Sequence, residues 1–357
     1  MSPRSAPVRR ASVVGAGSFG TAVALVLERA GVRTTLLCRT AEQAERMAAT
    51  RENERYLPGV RLPERLKVRA LGGHEDQFHR SDLVFVAVPA SGIDAAIAEL
   101  TRQVVPHAGV VSLTKGLVPP DGTPPTLAFE RAFGSARVAC VGGPAHAREM
   151  VEGGAGLICA SRSPDLAERV AGVFRAGGVV CEESADPVGV ELAGCAKNAA
   201  SLAAGATESQ GLNAAGMAAA DIFGEVLALA EANGGSPRTF LGRAGTGDLV
   251  ATALAPASRN RSAGELLASG VPAAEIPERL GQAVEALDTV PLLARAIEQA
   301  GISAPITSAL ARLIEGSLPL DEWVALVRVA QPERLRRRGI RAWWGRLRAR
   351  QRGLRRR

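Results

Sequence analysis

Cysteine and histidine are scarce, with five of one and four of the other in 357 residues. The cysteines, Cys38, Cys140, Cys159, Cys181 and Cys195, are scattered, odd in number and never in a CxxC pair. They read as reduced core thiols, which excludes a disulfide or metal framework, and no metal site is expected. No apolar run reaches the ~18 residues of a membrane-crossing helix. The basic N-terminus, MSPRSAPVRR, lacks an apolar segment that would serve as a signal peptide, so a cytoplasmic location is expected. Acidic residues are absent from 334–357, which holds 12 Arg; the whole chain is +7, and the other 333 residues therefore carry −5. The basic balance belongs to the tail, and the remainder has the charge of an ordinary soluble enzyme.

What the chain does have is 46% hydrophobic residues over a length that suits two domains. From Ala11 the sequence runs ASVVGAGSFG and continues as TAVALVLERAG. A β-branched apolar run, a glycine turn and a helical stretch follow one another directly. In this GxGxxG pattern Gly15 permits the turn, Gly17 lets backbone approach a pyrophosphate, and Gly20 lets helix pack on strand. Gly15, Gly17, Ser18, Phe19 and Gly20 are thus candidate dinucleotide ligands, with phosphate on the positive end of the helix.

Arg33–Cys38 reads as a second strand, followed by a helix through about Arg51. Asp82–Val88, Gly109–Leu113, Arg137–Val141 and Ala155–Cys159 are further short apolar runs, as buried parallel strands would be. From about Asp186 the period becomes helical, in Val188–Ala206, Met217–Asn233, Gly264–Ser269, Val284–Ala300 and Ile306–Glu315. The expected fold is α/β, an N-terminal Rossmann-type doubly wound sheet with an all-helical C-terminal domain. Its parts would be an extension over 1–10, a dinucleotide-binding domain over 11–185, a helical substrate and catalytic domain over 186–330, and a basic tail over 331–357.

Arg39 closes the second strand, where an acidic side chain often binds a ribose 2′-hydroxyl and an arginine can pair with a 2′-phosphate, so NADP(H) is permitted beside NAD(H). Lys115 follows a buried strand and would emerge at the carboxyl edge of the sheet. Lys197 and Asn198 interrupt a helix of small apolar residues, ELAGCAKNAASLAAGA. A lysine there needs a partner or a task, and burial beside a second cation would bring its pKa toward neutrality, as proton transfer requires. Asp248 lies in GRAGTGDL, and Arg259 with Asn260 in SRNR offers fork donors and an amide for a phosphate monoester. Dinucleotide, lysine and phosphate donors together point to hydride transfer on a small phosphorylated alcohol or ketone.

Seven segments in this order resemble the NAD(P)-dependent glycerol-3-phosphate dehydrogenase family of bacterial type. They are VVGAGSFGTA, NERYLPGVRLP, SLTKGL, VGGPAHAREM, GVELAGCAKNAASLAAGA, GRAGTGDLVAT and SRNR. The likeness runs from about Ala11 to Val329. It implies that Lys197 is the general acid/base and that Lys115 lies beside the substrate oxygen, which it would polarise together with Asn198. It also implies that Asp248, Thr252, Arg259 and Asn260 bind or frame the substrate, and that Glu285, like Lys115 and Arg259, lies near the cofactor. One segment departs from the family: after the lysine helix the chain reads ESQGLNAAGMAAADIFGEV, in which Asn213 lacks its usual Thr and basic neighbours and Asp221 stands near an expected arginine.

The expected activity is reversible NAD(P)H-dependent reduction of dihydroxyacetone phosphate to sn-glycerol 3-phosphate, supplying glycerophospholipid synthesis. The alternatives are a dehydrogenase of another small hydroxy acid and a catalytically weakened dinucleotide-binding paralogue. The resemblance implies a homodimer. The tail, with Trp343 and Trp344 among its arginines, suits loose contact with an anionic membrane; no specific nucleic acid partner is expected.

Overall fold

A computed structural model describes residues 7–72, 78–255 and 258–329. Up to Ser184 short strands alternate with helices: β1 Arg10–Val14, α1 Ser18–Arg29, β2 Arg33–Cys38, α2 Ala41–Thr50, the hairpin β3 Glu52–Asn53 and β4 Leu57–Arg61, then β5 Lys67–Ala70. They continue as β6 Leu83–Val86, α3 Ile93–Gln103, β7 Gly109–Ser112, α4 Pro125–Phe133, β8 Val138–Gly142, α5 Ala147–Glu152, β9 Gly156–Ser161, α6 Pro164–Ala176 and β10 Val180–Ser184. Eight strands form one sheet in the order β10-β9-β8-β7-β6-β1-β2-β5. From β1 the chain builds outward on one side through β2 and β5, then returns to build the other side from β6. That reversal opens a crevice at the carboxyl ends of β1 and β6, where a doubly wound sheet binds its ligand.

The β6 and β7 strands, LVFV and GVVS, are buried along their whole length, because helices cover both faces of the sheet. The sheet departs from the expected parallel arrangement at one place, where β9 pairs antiparallel with β8. The hairpin and the outer strands β5 and β10 were not expected from the sequence. Their residues, such as VCEES in β10, mix charged and apolar side chains as suits a strand at a sheet edge.

Among the described residues no strand follows β10, and the elements are helices: α7 Pro187–Thr207, α8 Leu212–Ala232, α9 Pro237–Leu241, α10 Asp248–Leu254, α11 Arg259–Ala268, α12 Ile276–Arg279, α13 Glu285–Gln299, α14 Pro305–Ile314 and α15 Leu320–Val329. The Asp186 side chain caps α7 by accepting the Gly189 N–H at 2.8 Å. α7 is buried on all sides, so it is the axis of the helical part. α11 crosses it at bare backbone: a Cβ on Gly264 would meet Leu202 O at 2.1 Å, and one on Gly205 would meet Arg261 O at 2.1 Å.

α8 begins at Leu212, five residues before the expected start. By length and composition it would suffice to cross a membrane, against the expectation that no segment would, and 28% of it is buried. Its alanines raise the average, while Glu225 within it accepts the N–H groups of Ile306 and Thr307 at the start of α14, at 3.0 and 2.7 Å. α8 is therefore tied into the helical part.

Candidate active site

The glycine loop leaves β1 at Gly15, whose φ is +106° and whose N–H donates to Leu37 O at 2.9 Å. At Gly20 the constraint is contact: a Cβ would fall 2.0 Å from Gly15 O. Gly17 is different, since nothing lies within 4 Å of the Cβ it lacks. Gly17 is also the cap of α1 and supplies no side-chain acceptor, and the first turn carries no acidic residue. Thr21 is the first to bond back into the helix, to Gly17 O at 3.0 Å, so the N–H groups of Ser18, Phe19 and Gly20 precede the ladder. A cradle open at Gly17, walled by backbone and facing a helix N-terminus, fits a dinucleotide pyrophosphate.

Two amides outside the glycine motif hold this loop. Gln43 Nε2 and Asn53 Nδ2 each donate to Ala16 O at 3.1 Å, and Asn53 Nδ2 also donates to Thr21 Oγ1 at 2.8 Å. Neither was singled out from the sequence, although Asn53 opens the NERYLPG segment. Arg39 follows β2 directly and is exposed beside the loop's strand.

Lys115 follows β7 and points across to the helical part, where its Nζ lies 2.7 Å from Asp248 Oδ2 and 3.1 Å from Gly143 O. Asp248 Oδ1 lies 3.8 Å from Lys197 Nζ. One carboxylate thus faces two ammonium groups, with Lys197 9% and Asp248 2% exposed. Asp248 reaches this place through a single π-turn, Arg243–Gly247, that leads into α10. Burial lowers the Lys197 pKa most; Asp248 opposes this, Lys115 adds to it, Glu285 opposes it and Arg259 adds to it. A lysine whose proton is loosened by its surroundings gives that proton up more readily than a free one.

Asn198 lies at the centre of a hydrogen-bond network. Its Nδ2 donates both to Lys115 O and to Glu285 Oε2, each at 3.0 Å, and its Oδ1 accepts from Asn260 Nδ2 at 2.9 Å. Both amide hydrogens are engaged within the protein, so Asn198 acts as a hub between the Lys115 segment and the starts of α11 and α13. Asn260 and the exposed Arg259 occupy the first turn of α11, whose cap Ser258 accepts the Arg261 N–H and meets Ser201 of α7 at 3.1 Å. Thr252 stands one turn after Asp248, and its buried hydroxyl has no hydrogen-bond partner among the described residues. It is a polar group left for something that enters.

Lys115, Lys197, Asn198, Asp248, Asn260 and Glu285 are thus linked by direct contacts, and Arg259 acts on Lys197 electrostatically. The glycine loop and Arg39 lie on the neighbouring strands of the same sheet edge. All five cysteines are buried and free, and no group of three metal-binding side chains occurs among the described residues.

Residues 10–167 match the profile described as NAD-dependent glycerol-3-phosphate dehydrogenase N-terminus, and residues 186–325 match that of the C-terminus. A protein named glycerol-3-phosphate dehydrogenase [NAD(P)+] from Parafrankia is 38% identical over 321 residues, covering 88% of this chain and 95% of that one. One of the same name from Pseudomonas putida is 33% identical over 331 residues, covering 90% and 94%. The crystal structure of glycerol-3-phosphate dehydrogenase from Coxiella burnetii superimposes with a TM-score of 0.84 at 27% identity, covering 90% of this chain and 99% of that one. The fold alone is shared with a 2-dehydropantoate 2-reductase from Geobacter metallireducens, at a TM-score of 0.59 and 18% identity over 86% and 99% of the two chains.

Proposed function

The chain belongs to the NAD-dependent glycerol-3-phosphate dehydrogenase family, and from that premise we propose how its own residues carry out the reaction. The reaction is the reversible NAD(P)H-dependent reduction of dihydroxyacetone phosphate to sn-glycerol 3-phosphate, a step that supplies glycerophospholipid synthesis. A dinucleotide held by Gly15, Gly17, Ser18, Phe19 and Gly20, with Glu285 near it, supplies the hydride that substrate C2 accepts. Arg39 stands where a 2′-phosphate would lie, which makes NADPH at least as good a cofactor as NADH.

Lys197 delivers the proton that the developing C2 alkoxide requires, and takes it back in the oxidative direction. Asp248 keeps Lys197 charged enough to donate, while burial and Lys115 keep the proton loose. Lys115 stands beside the oxygen and stabilises its charge in a site from which water is largely excluded. Arg259, Asn260 and the first turn of α11 take the phosphate, since a ten-residue helix with a side-chain cap presents both N–H groups and a guanidinium there. That cation at a helix start favours a phosphorylated substrate over another hydroxy acid, and the intact lysine pair favours an active enzyme over a weakened paralogue.

The observation that carries this reading is the buried Lys115–Asp248–Lys197 cluster. Purified protein should oxidise NADPH when dihydroxyacetone phosphate is added. Lys197→Ala should lower turnover by about 10² or more while NADPH still binds, and near wild-type turnover would refute the assignment.

We place the working division at residues 185/186, with the cleft between sheet and helices as the site. A homodimer is proposed through α8, where Leu212 is 79% exposed and Met217, Gly216, Ala220 and Gly224 are also exposed, beside Leu326 of the adjoining α15. A second copy would cover that apolar face. Ala220→Glu should then halve the mass measured by sedimentation equilibrium; an unchanged mass argues against this face. A cytoplasmic location and tail contact with anionic lipid complete the proposal; the tail lies outside the described residues.

A further inference from the structure

Apart from Lys197, the one charged side chain of α7 is Glu191, and it is 4% exposed. The reaction makes no use of it. Its two carboxyl oxygens accept the Thr126 N–H at 2.9 and 3.1 Å. Thr126 lies in the first turn of α4, which has no side-chain cap of its own, and Ser112 is the last residue of β7. The segment between them, 113–125, carries Lys115. Glu191 thus holds that segment at its far end, where α4 begins.

Two more residues on the same face of α7 touch its middle. Gly194 faces the Lys115 stem, where a Cβ would stand in ordinary contact 3.5 Å from Lys115 Cγ, and Asn198 holds Lys115 O. Positions 191, 194 and 198 form one stripe along a helix. The end of that stripe adjoins Lys197, so the helix that presents one lysine also fixes the path of the backbone that presents the other.

We propose that Glu191 is a positioning residue which sets Lys115 against Asp248 by tying the far flank of the 113–125 segment to the helix that bears Lys197. The inference rests on the reading of Lys115 as the group beside the substrate oxygen. Burial pushes the Glu191 carboxyl up to about 8; hydrogen bonds from Thr126 pull it down, Glu130 pushes it up and Ser112 pulls it down. Near neutral pH the group is therefore largely uncharged. It accepts from Thr126 without leaving a bare anion in the core.

Glu191→Met keeps the length of the side chain and removes the acceptor, whereas Glu191→Gln keeps an acceptor. E191M should lower kcat at least about tenfold with the KM for NADPH changed less than about twofold, and E191Q should recover a third or more of wild-type kcat. In a Lys115→Ala background E191M should change kcat by less than about twofold, because the group it positions is gone. Should E191M not fold, Glu191→Asp, which withdraws the carboxyl by one methylene, serves the same comparison. Full kcat in E191M, an E191Q as slow as E191M, or an equal fold loss in the Lys115→Ala background overturns the inference. A Lys115→Ala enzyme with undiminished turnover removes the reading of Lys115 itself, a result distinguishable from additivity.

Discussion

Lys197 and Glu191 sit six residues apart on one buried helix, and desolvation pushes the lysine down and the glutamate up to about 8. For Glu191 the consequence is a pH dependence of stability. The folded state holds the proton up to about 8, whereas the unfolded chain releases it near 4.5, so stability falls as pH rises between those values. The groups facing the carboxyl, Glu130 of α4, Cys140 of β8 and Cys195 of α7, provide no cation to hold the ionised form. Thermal melting of wild type should decline from pH 6 to pH 9 by more than that of Glu191→Gln, by a few kcal/mol at most; parallel curves would show that another group governs the decline. At Arg259 the expected effect is on binding. Arg259→Ala should raise the KM for the phosphorylated substrate by the equivalent of ~2–4 kcal/mol, and an unchanged KM would place the phosphate elsewhere. Lys197 and Asn198 were legible because they interrupt small apolar residues. Glu191, Gln43 and Asn53 were not, because their partners lie 65, 27 and 37 residues away.

At the scale of elements, the turn from β1 into α1 separates fold from ligand binding within a few residues. Gly17 has an ordinary φ of −78° and open space beside it, whereas the Cβ of an alanine at Gly20 would overlap Gly15 O. Gly17→Ala should therefore melt like wild type yet raise the KM for NADPH, while Gly20→Ala should lose stability as well. Equal melting of the two variants would mean the turn adapts more readily than its contacts allow. The central strands and α7 were legible because two-sided burial leaves an unbroken apolar run in the sequence. The edge strands β5 and β10 carry charges toward solvent and lose that signature. The antiparallel turn of β9 depends on how α5 returns the chain, which no local pattern records.

For the whole molecule, charge is divided between an acidic globular part and a basic tail. Truncation after Pro332 should leave turnover unchanged and abolish salt-sensitive co-sedimentation with anionic vesicles; a full-length protein that ignores such vesicles at low salt has no membrane role for its tail. The globular part relies on arginine almost everywhere. Of 43 basic side chains only Lys67, Lys115 and Lys197 are lysines. Guanidinium serves wherever a permanent charge is enough, and it does not release its proton. Two of the three primary amines on side chains therefore share one carboxylate at the cleft, and Lys67 is exposed on an edge strand. An acylating reagent selective for amines meets few competitors here, and mass spectrometry of the peptides around residues 67, 115 and 197 can count occupancy of the cleft directly. Shielding of Lys115 and Lys197 with continued labelling of Lys67 would report a filled site without any turnover being measured.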